Sequence, residues 1–90
     1  MAEPCDLTAV EARRLIGARA LSPVELVESC IRRIERWNPH VNAVVTTCYD
    51  RARAEARAAE AAVMRVDALP PLHGLPVGIK DLDETEGVRT

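Results

Sequence analysis

Fourteen alanines and no phenylalanine in ninety residues leave this chain little apolar volume from which to build a core. Eight leucines, four isoleucines and ten valines are the bulk of what remains. Burial is worth roughly 25 cal/mol per Å² of apolar surface, and an alanine side chain offers little area. Ninety residues make at most one small domain, and a chain this short buries a smaller fraction of its surface than a larger one. The expectation is a helical, soluble chain with a thin core.

Charge and motif content exclude several classes of function. A net charge of −2 and a pI near 5.6 argue against nucleic-acid binding, which usually needs a concentrated basic patch. No apolar run approaches the ~18–20 residues that span a bilayer, so no membrane association is expected. The start, Met1-Ala2-Glu3-Pro4-Cys5-Asp6, has neither the basic nor the apolar region of a signal peptide. Cys5, Cys30 and Cys48 are an odd, widely spaced set that forms neither a disulfide framework nor a zinc pattern. A reducing, cytoplasmic setting is the natural reading. His40 and His73 lie far apart without a ligand cluster, so no metal is expected.

Helix starts are the clearest local signals. Thr8-Ala9-Val10-Glu11 has the form of a capping box and predicts a helix near residues 8–18. Val10, Leu15 and Ile16 are its apolar positions, and Gly17 helps to end it. In Ser22-Pro23-Val24-Glu25 the serine caps, proline takes the first helical position and Glu25 closes the box. The predicted helix covers 23–37. Val24, Val27, Ile31 and Ile34 form one stripe, flanked by Cys30 and by a core-packed Trp37, and Asn38-Pro39 stops it. Val41 to Thr46 reads as a brief extended stretch. A third helix near 48–66 carries Ala52, Ala56, Ala59 and Val63 as its inner stripe. Arg51 and Glu55 are spaced to pair along it, and its mixed charges read as a solvated face.

The remaining residues change character. Leu69-Pro70-Pro71-Leu72 is a linker that cannot be helical. Gly74-Leu75-Pro76-Val77-Gly78-Ile79-Lys80 is β-prone and glycine-punctuated, predicting a strand near 76–80, and Asp81 to Gly87 reads as an acidic turn. A lysine at a strand end is ordinarily a surface charge. Buried, its ammonium form is disfavoured and its pKa falls, and a neutral lysine can take a proton from a serine hydroxyl. Asp81 suits holding the following turn, and His73 reads as a loop residue near an entrance.

The segment Leu72-His73-Gly74-Leu75-Pro76-Val77-Gly78-Ile79-Lys80-Asp81 resembles the "L-x-G-[IL]-P-x-x-[IV]-K-D" motif of the amidase-signature family. The residues after it, through Gly87 and Thr90, are similar to the family's "D-x-x-G-x-x-T". Upstream, Ser22 to Val27 resembles the family's capped second helix. Arg33-Ile34 with Asn38-Pro39 and Asn42-Ala43 resembles "R-I-x-x-x-N-P-x-x-N-A", and the Ala/Arg/Glu helix sits where the family has its "A…A…A-D" helix. The resemblance covers nearly the whole chain in order.

It implies a hydrolase of carboxylic amide bonds with a Ser–cis-Ser–Lys triad, in which the residue matching Lys80 is the base. Such a triad activates a weak nucleophile through a neighbouring base and needs no cofactor. The fold class implied is an α/β fragment, mostly α-helical as present. Residues 1–90 would be the N-terminal part of an amidase domain, ending in its first core strand. No G-G-S-S-G-G segment occurs here. The two serines, Ser22 and Ser29, belong to the second helix and cannot be carried over as catalytic. The chain alone is therefore expected to be inactive, with Lys80 solvated and near its ordinary pKa, and a small-molecule amide is the substrate class of the intact parent. One alternative is a helical self-association module, in which copies exchange elements because the partner sheet is missing. Another, within the family, is a fragment of the A subunit of a glutamyl/aspartyl-tRNA amidotransferase.

Overall fold

Thr8 starts the first helix as its sequence demands. Its Oγ1 accepts from the Glu11 N–H at 3.1 Å while Glu11 Oε1 accepts from the Thr8 N–H at 3.2 Å. Two otherwise orphaned donors are thereby satisfied. The structure, a computed structural model, describes residues 3–44, 46–65, 69–79 and 86–87. Helix α1 runs over Ala9–Gly17. It does not end through Gly17. The left-handed residue is Arg19, at φ 62°. The Arg19 N–H donates to Ile16 O at 3.0 Å and the Ala20 N–H to Leu15 O at 2.8 Å, the paired bonds of a Schellman ending. The absent side chain at Gly17 instead makes room for Arg13, whose Nη1 would lie 2.8 Å from a Cβ there. Val10 was expected on the inner face but is exposed. The buried pair is Ala12 and Ile16, four residues apart on one face.

Helix α2, Pro23–Val41, begins as expected. Ser22 Oγ accepts from the Val24 N–H at 3.0 Å, and Glu25 Oε1 accepts from the Ser22 N–H at 3.1 Å. Its end corrects the sequence reading, because Pro39 lies inside the helix and Val41 is its last residue rather than the start of an extended stretch. Proline's fixed φ suits a helix. What it removes is the N–H that would serve the Glu35 carbonyl, and both residues are exposed to solvent. The stop comes at Asn42, left-handed at φ 51°. The Asn38 side chain then secures the following chain, donating to Val44 O and accepting from the Val44 N–H, each at 2.9 Å.

Helix α3, Tyr49–Met64, lies against α2. Its cap residue Cys48 makes no side-chain hydrogen bond. Ala56 and Val63 are buried with Ala52 and Ala59 partly so, as its stripe predicts. Two clusters form the core. Ala12, Ile16, Leu21, Leu26 and Val63 join α1, α2 and the end of α3. Val27, Ile31 and Ala56 join the middles of α2 and α3. Trp37 was expected in the core and is instead 49% exposed. The second cluster stops at Ile31, so nothing in it reaches Trp37. Its ring packs near His40, and the Arg36 guanidinium sits 5.2 Å from its centroid.

Polar contacts tie the elements together. A 3-10 turn over Pro4–Asp6, unforeseen in the sequence, sits on α2. Arg33 bridges Glu3 and Asp6 at 3.0 Å each, and fully buried Ser29 accepts from the Cys5 N–H at 3.0 Å. Arg53 of α3 grips Glu28 of α2 with two bonds, of 2.7 and 3.1 Å. This hydrogen bonding holds the Glu28 carboxyl below the usual glutamate range. A carboxylate lowered in the folded state contributes stability above its unfolded pKa and loses it as pH falls through the folded value. The urea midpoint should therefore drop between pH 7 and pH 3, and by less in Glu28→Gln than in the parent chain. Equal drops in the two proteins would rule out this pair as a source of acid sensitivity.

The expected strand at 76–80 is not formed in what can be described of it. Residues 75–79 have no regular structure, and Val77 and Ile79 are exposed. A strand needs a neighbour to receive its backbone bonds, and no strand occurs among the described residues. The described residues form three helices and the 3-10 turn. No helix among the described residues is long and apolar enough to cross a membrane.

Candidate active site

Lys80, the residue to which the sequence assigns catalysis, lies outside the described residues, as does Asp81. The chain that leads to them is fastened at several points. Arg13 of α1 donates from Nε to Pro70 O at 3.1 Å and from Nη2 to Leu69 O at 3.3 Å. The double proline excludes helix, as expected, and leaves these carbonyls free to accept. The chain then turns twice. The His73 N–H donates to Pro70 O at 3.1 Å and the Leu75 N–H to Leu72 O at 3.2 Å.

Gly74 occupies the third position of the second turn with φ +81°, where type II geometry calls for glycine. It also packs directly on the core. A Cβ there would meet Pro23 Cγ at 3.0 Å and Ile16 Cδ1 at 3.2 Å. Beside it, His73 Nε2 lies 2.9 Å from Ala59 O. A carbonyl only accepts, so this contact requires the proton on Nε2. His73 is thus a half-buried loop residue bonded to the α3 backbone. Leu75 packs against the first core cluster, while Pro76, Val77, Gly78 and Ile79 stand exposed.

Ser22 caps α2 and Ser29 is buried beneath Cys5. Neither is a candidate nucleophile. Cys5 and Cys30 are partly buried, Cys48 is exposed, and all three are free. Burial pushes the Cys30 thiol up, away from the reactive thiolate. Glu3, Cys5 and Asp6 lie close enough together to suggest metal ligands. However, the Arg33 guanidinium already pairs with both carboxylates and neutralises the negative charge that they would offer to a cation. The sequence reading missed Arg13 as a donor to the Leu69 and Pro70 carbonyls and Arg51 as a donor to the Glu86 carbonyl. Their contacts span 57 and 35 residues, and no local pattern encodes them.

The turn, the glycine seat and the following Pro-x-x-Ile-Lys stretch coincide with a family match. A family model described as Amidase matches residues 25–90, and the chain belongs to this amidase-signature family. Among its relatives, the A subunit of the glutamyl-tRNA(Gln) amidotransferase of Anaeromyxobacter dehalogenans is 42% identical over 98% of this chain and 18% of its own length. The proteins of the same name from Sinorhizobium fredii and Dehalococcoides mccartyi are 42% and 34% identical over the whole of this chain, again 18% of their length. The chain thus spans under a fifth of the curated relatives it matches. No solved structure gives a significant match.

Proposed function

We propose that this chain is the lysine-bearing N-terminal part of an enzyme that cleaves carboxylic amide bonds through a Ser–cis-Ser–Lys triad, with Lys80 as the base. The observation that carries this reading is the family match running through the Leu72–Asp81 motif. The described geometry supports it, because Arg13, His73 and Gly74 hold the approach to Lys80 against a helical base. The serine partners would come from sequence outside these ninety residues, since Ser22 and Ser29 have structural roles. The chain alone then has a base without a nucleophile. Small-molecule amides are the substrate class of this reading.

The names of the relatives favour a second reading within the family, the A subunit of an amidotransferase that works on glutamyl-tRNA(Gln). One experiment tests both. The polypeptide that carries this segment together with the serine-rich signature is assayed on a chromogenic amide and for amido transfer to glutamyl-tRNA(Gln). Lys80→Ala should lower the active reaction about 10²–10⁴-fold, the usual contribution of a general base, with binding of the acyl substrate retained. Undiminished turnover would remove Lys80 from the mechanism. Transfer without simple amide hydrolysis would select the amidotransferase reading, and the reverse would select the amidase.

A further inference from the structure

We propose that Cys5 and Cys30 form a reversible redox latch, an internal disulfide that ties the Pro4–Asp6 turn to α2. The proposal does not depend on the role of Lys80. The turn sits on α2, and the Cys5 N–H donates to Ser29 Oγ at 3.0 Å. Cys30 is the next residue of that helix. Arg33, one turn further along, holds Glu3 and Asp6 at 3.0 Å each. The turn is thus pinned on either side of Cys5, over the helix face that carries Ser29, Cys30 and Arg33. Both thiols are free and partly buried. Cys30 rests on the first core cluster, as does Leu7 beside the turn. Its thiol is pushed up by burial first and by the charge of Cys5 second, so the two sulfur atoms sense each other.

A disulfide needs Cα atoms roughly 4.4–6.8 Å apart. The turn is one short element held in part by exposed ion pairs, which cost little to rearrange, so it can adjust while α2 stays in place. In a reducing compartment such a bond is transient and redox-sensing rather than structural. The oxidant is a small-molecule disulfide such as oxidised glutathione. The raised Cys30 thiol yields little thiolate, so Cys5 attacks first. Its sulfur bonds one glutathione sulfur, and the other glutathione leaves and takes up the proton lost by Cys5. The Cys30 thiolate then attacks the Cys5 sulfur. The Cys5–Cys30 bond forms, and the second glutathione leaves with the proton lost by Cys30. Two protein thiols are oxidised, and one glutathione disulfide is reduced to two thiols.

Cys48 supplies an internal control. Cys30 and Cys48 are the closer pair in sequence, so the unfolded chain favours that smaller loop. The ninety-residue chain is equilibrated at low concentration with reduced and oxidised glutathione, with and without concentrated urea. Acid quenching and peptide mass mapping then identify the pairing. In the folded chain Cys5–Cys30 should exceed Cys30–Cys48 by about tenfold or more, a preference within the usual stabilisation from a disulfide that fits the fold. In urea the order should reverse. Oxidation should raise the thermal midpoint of helix melting by at least about 5 °C, dithiothreitol should abolish the rise, and Cys5→Ser should show none. Predominance of Cys30–Cys48 in the folded chain would overturn the latch. So would glutathione adducts in place of the internal bond, the same pairing order in urea, or a thermal midpoint that oxidation leaves unchanged. A rise of equal size in Cys5→Ser would assign the effect elsewhere and overturn it too. None of these readouts involves turnover.

Discussion

Ile16→Ala is expected to cost about 2–5 kcal/mol, the range for emptying a fully buried aliphatic site. Ile16 is wholly inaccessible to solvent and sits in the cluster that joins α1, α2 and the end of α3. A chain of this length has roughly 5–13 kcal/mol at the usual stability per residue. With an alanine-rich core it should fall at the low end. The substitution therefore removes a third or more of the total, and helical ellipticity followed through a urea titration at 25 °C should show an early or absent transition. A loss under about 1 kcal/mol would mean that this cluster is not the centre of stability. Ala12, four residues earlier on the same face, has no side chain long enough to compensate.

Gly74→Ala is the second large effect, and it links the fold to the candidate site. The residue must adopt a left-handed conformation, costing a side-chain-bearing residue roughly 1–2 kcal/mol. The new methyl must also enter space already taken by the Pro23 ring and by Ile16. Overpacking of this kind costs about 1–3 kcal/mol. The sum expected in urea unfolding is about 2–5 kcal/mol. Gly78→Ala is the control, because a Cβ there meets nothing within 4 Å, and it should stay within about 0.5 kcal/mol of the parent. Trimming Ile16 to valine should offset part of the Gly74→Ala defect, since Ile16 Cδ1 is one of the clashing atoms. Strict additivity of the two changes would show that they do not share this space.

Gly74 also shows why the glycine of the motif reads so clearly as sequence and so incompletely as structure. Its turn chemistry is local, but its contact partners lie 51 and 58 residues away in number, at Pro23 and Ile16. The same division holds along the chain. Thr8 with Glu11 and Ser22 with Glu25 announce their helices because a cap is complete within four residues. The stripe of α3 is legible through its spacing of three and four. Val10 and Trp37 misled because apolar character says nothing about which neighbour covers a face. Pro39 misled because its cost falls on a carbonyl at an exposed turn, where the helix tolerates the loss.

The role proposed for Lys80 rests on the motif around it alone. The triad role of a lysine depends on the groups that surround it, and those are contributed by residues distant in sequence. Local hydrogen bonding and side-chain periodicity dictate where the helices of this chain begin and which stripes they offer. Packing decides the rest: that Ile16 and not Val10 turns inward, that α2 continues through Pro39, and that Arg13 and His73 tie residues 69–73 to the helices. The physical reason is range. A cap or a stripe closes within one or two turns of helix, whereas burial and cross-chain hydrogen bonds exist only once residues tens of positions apart have met.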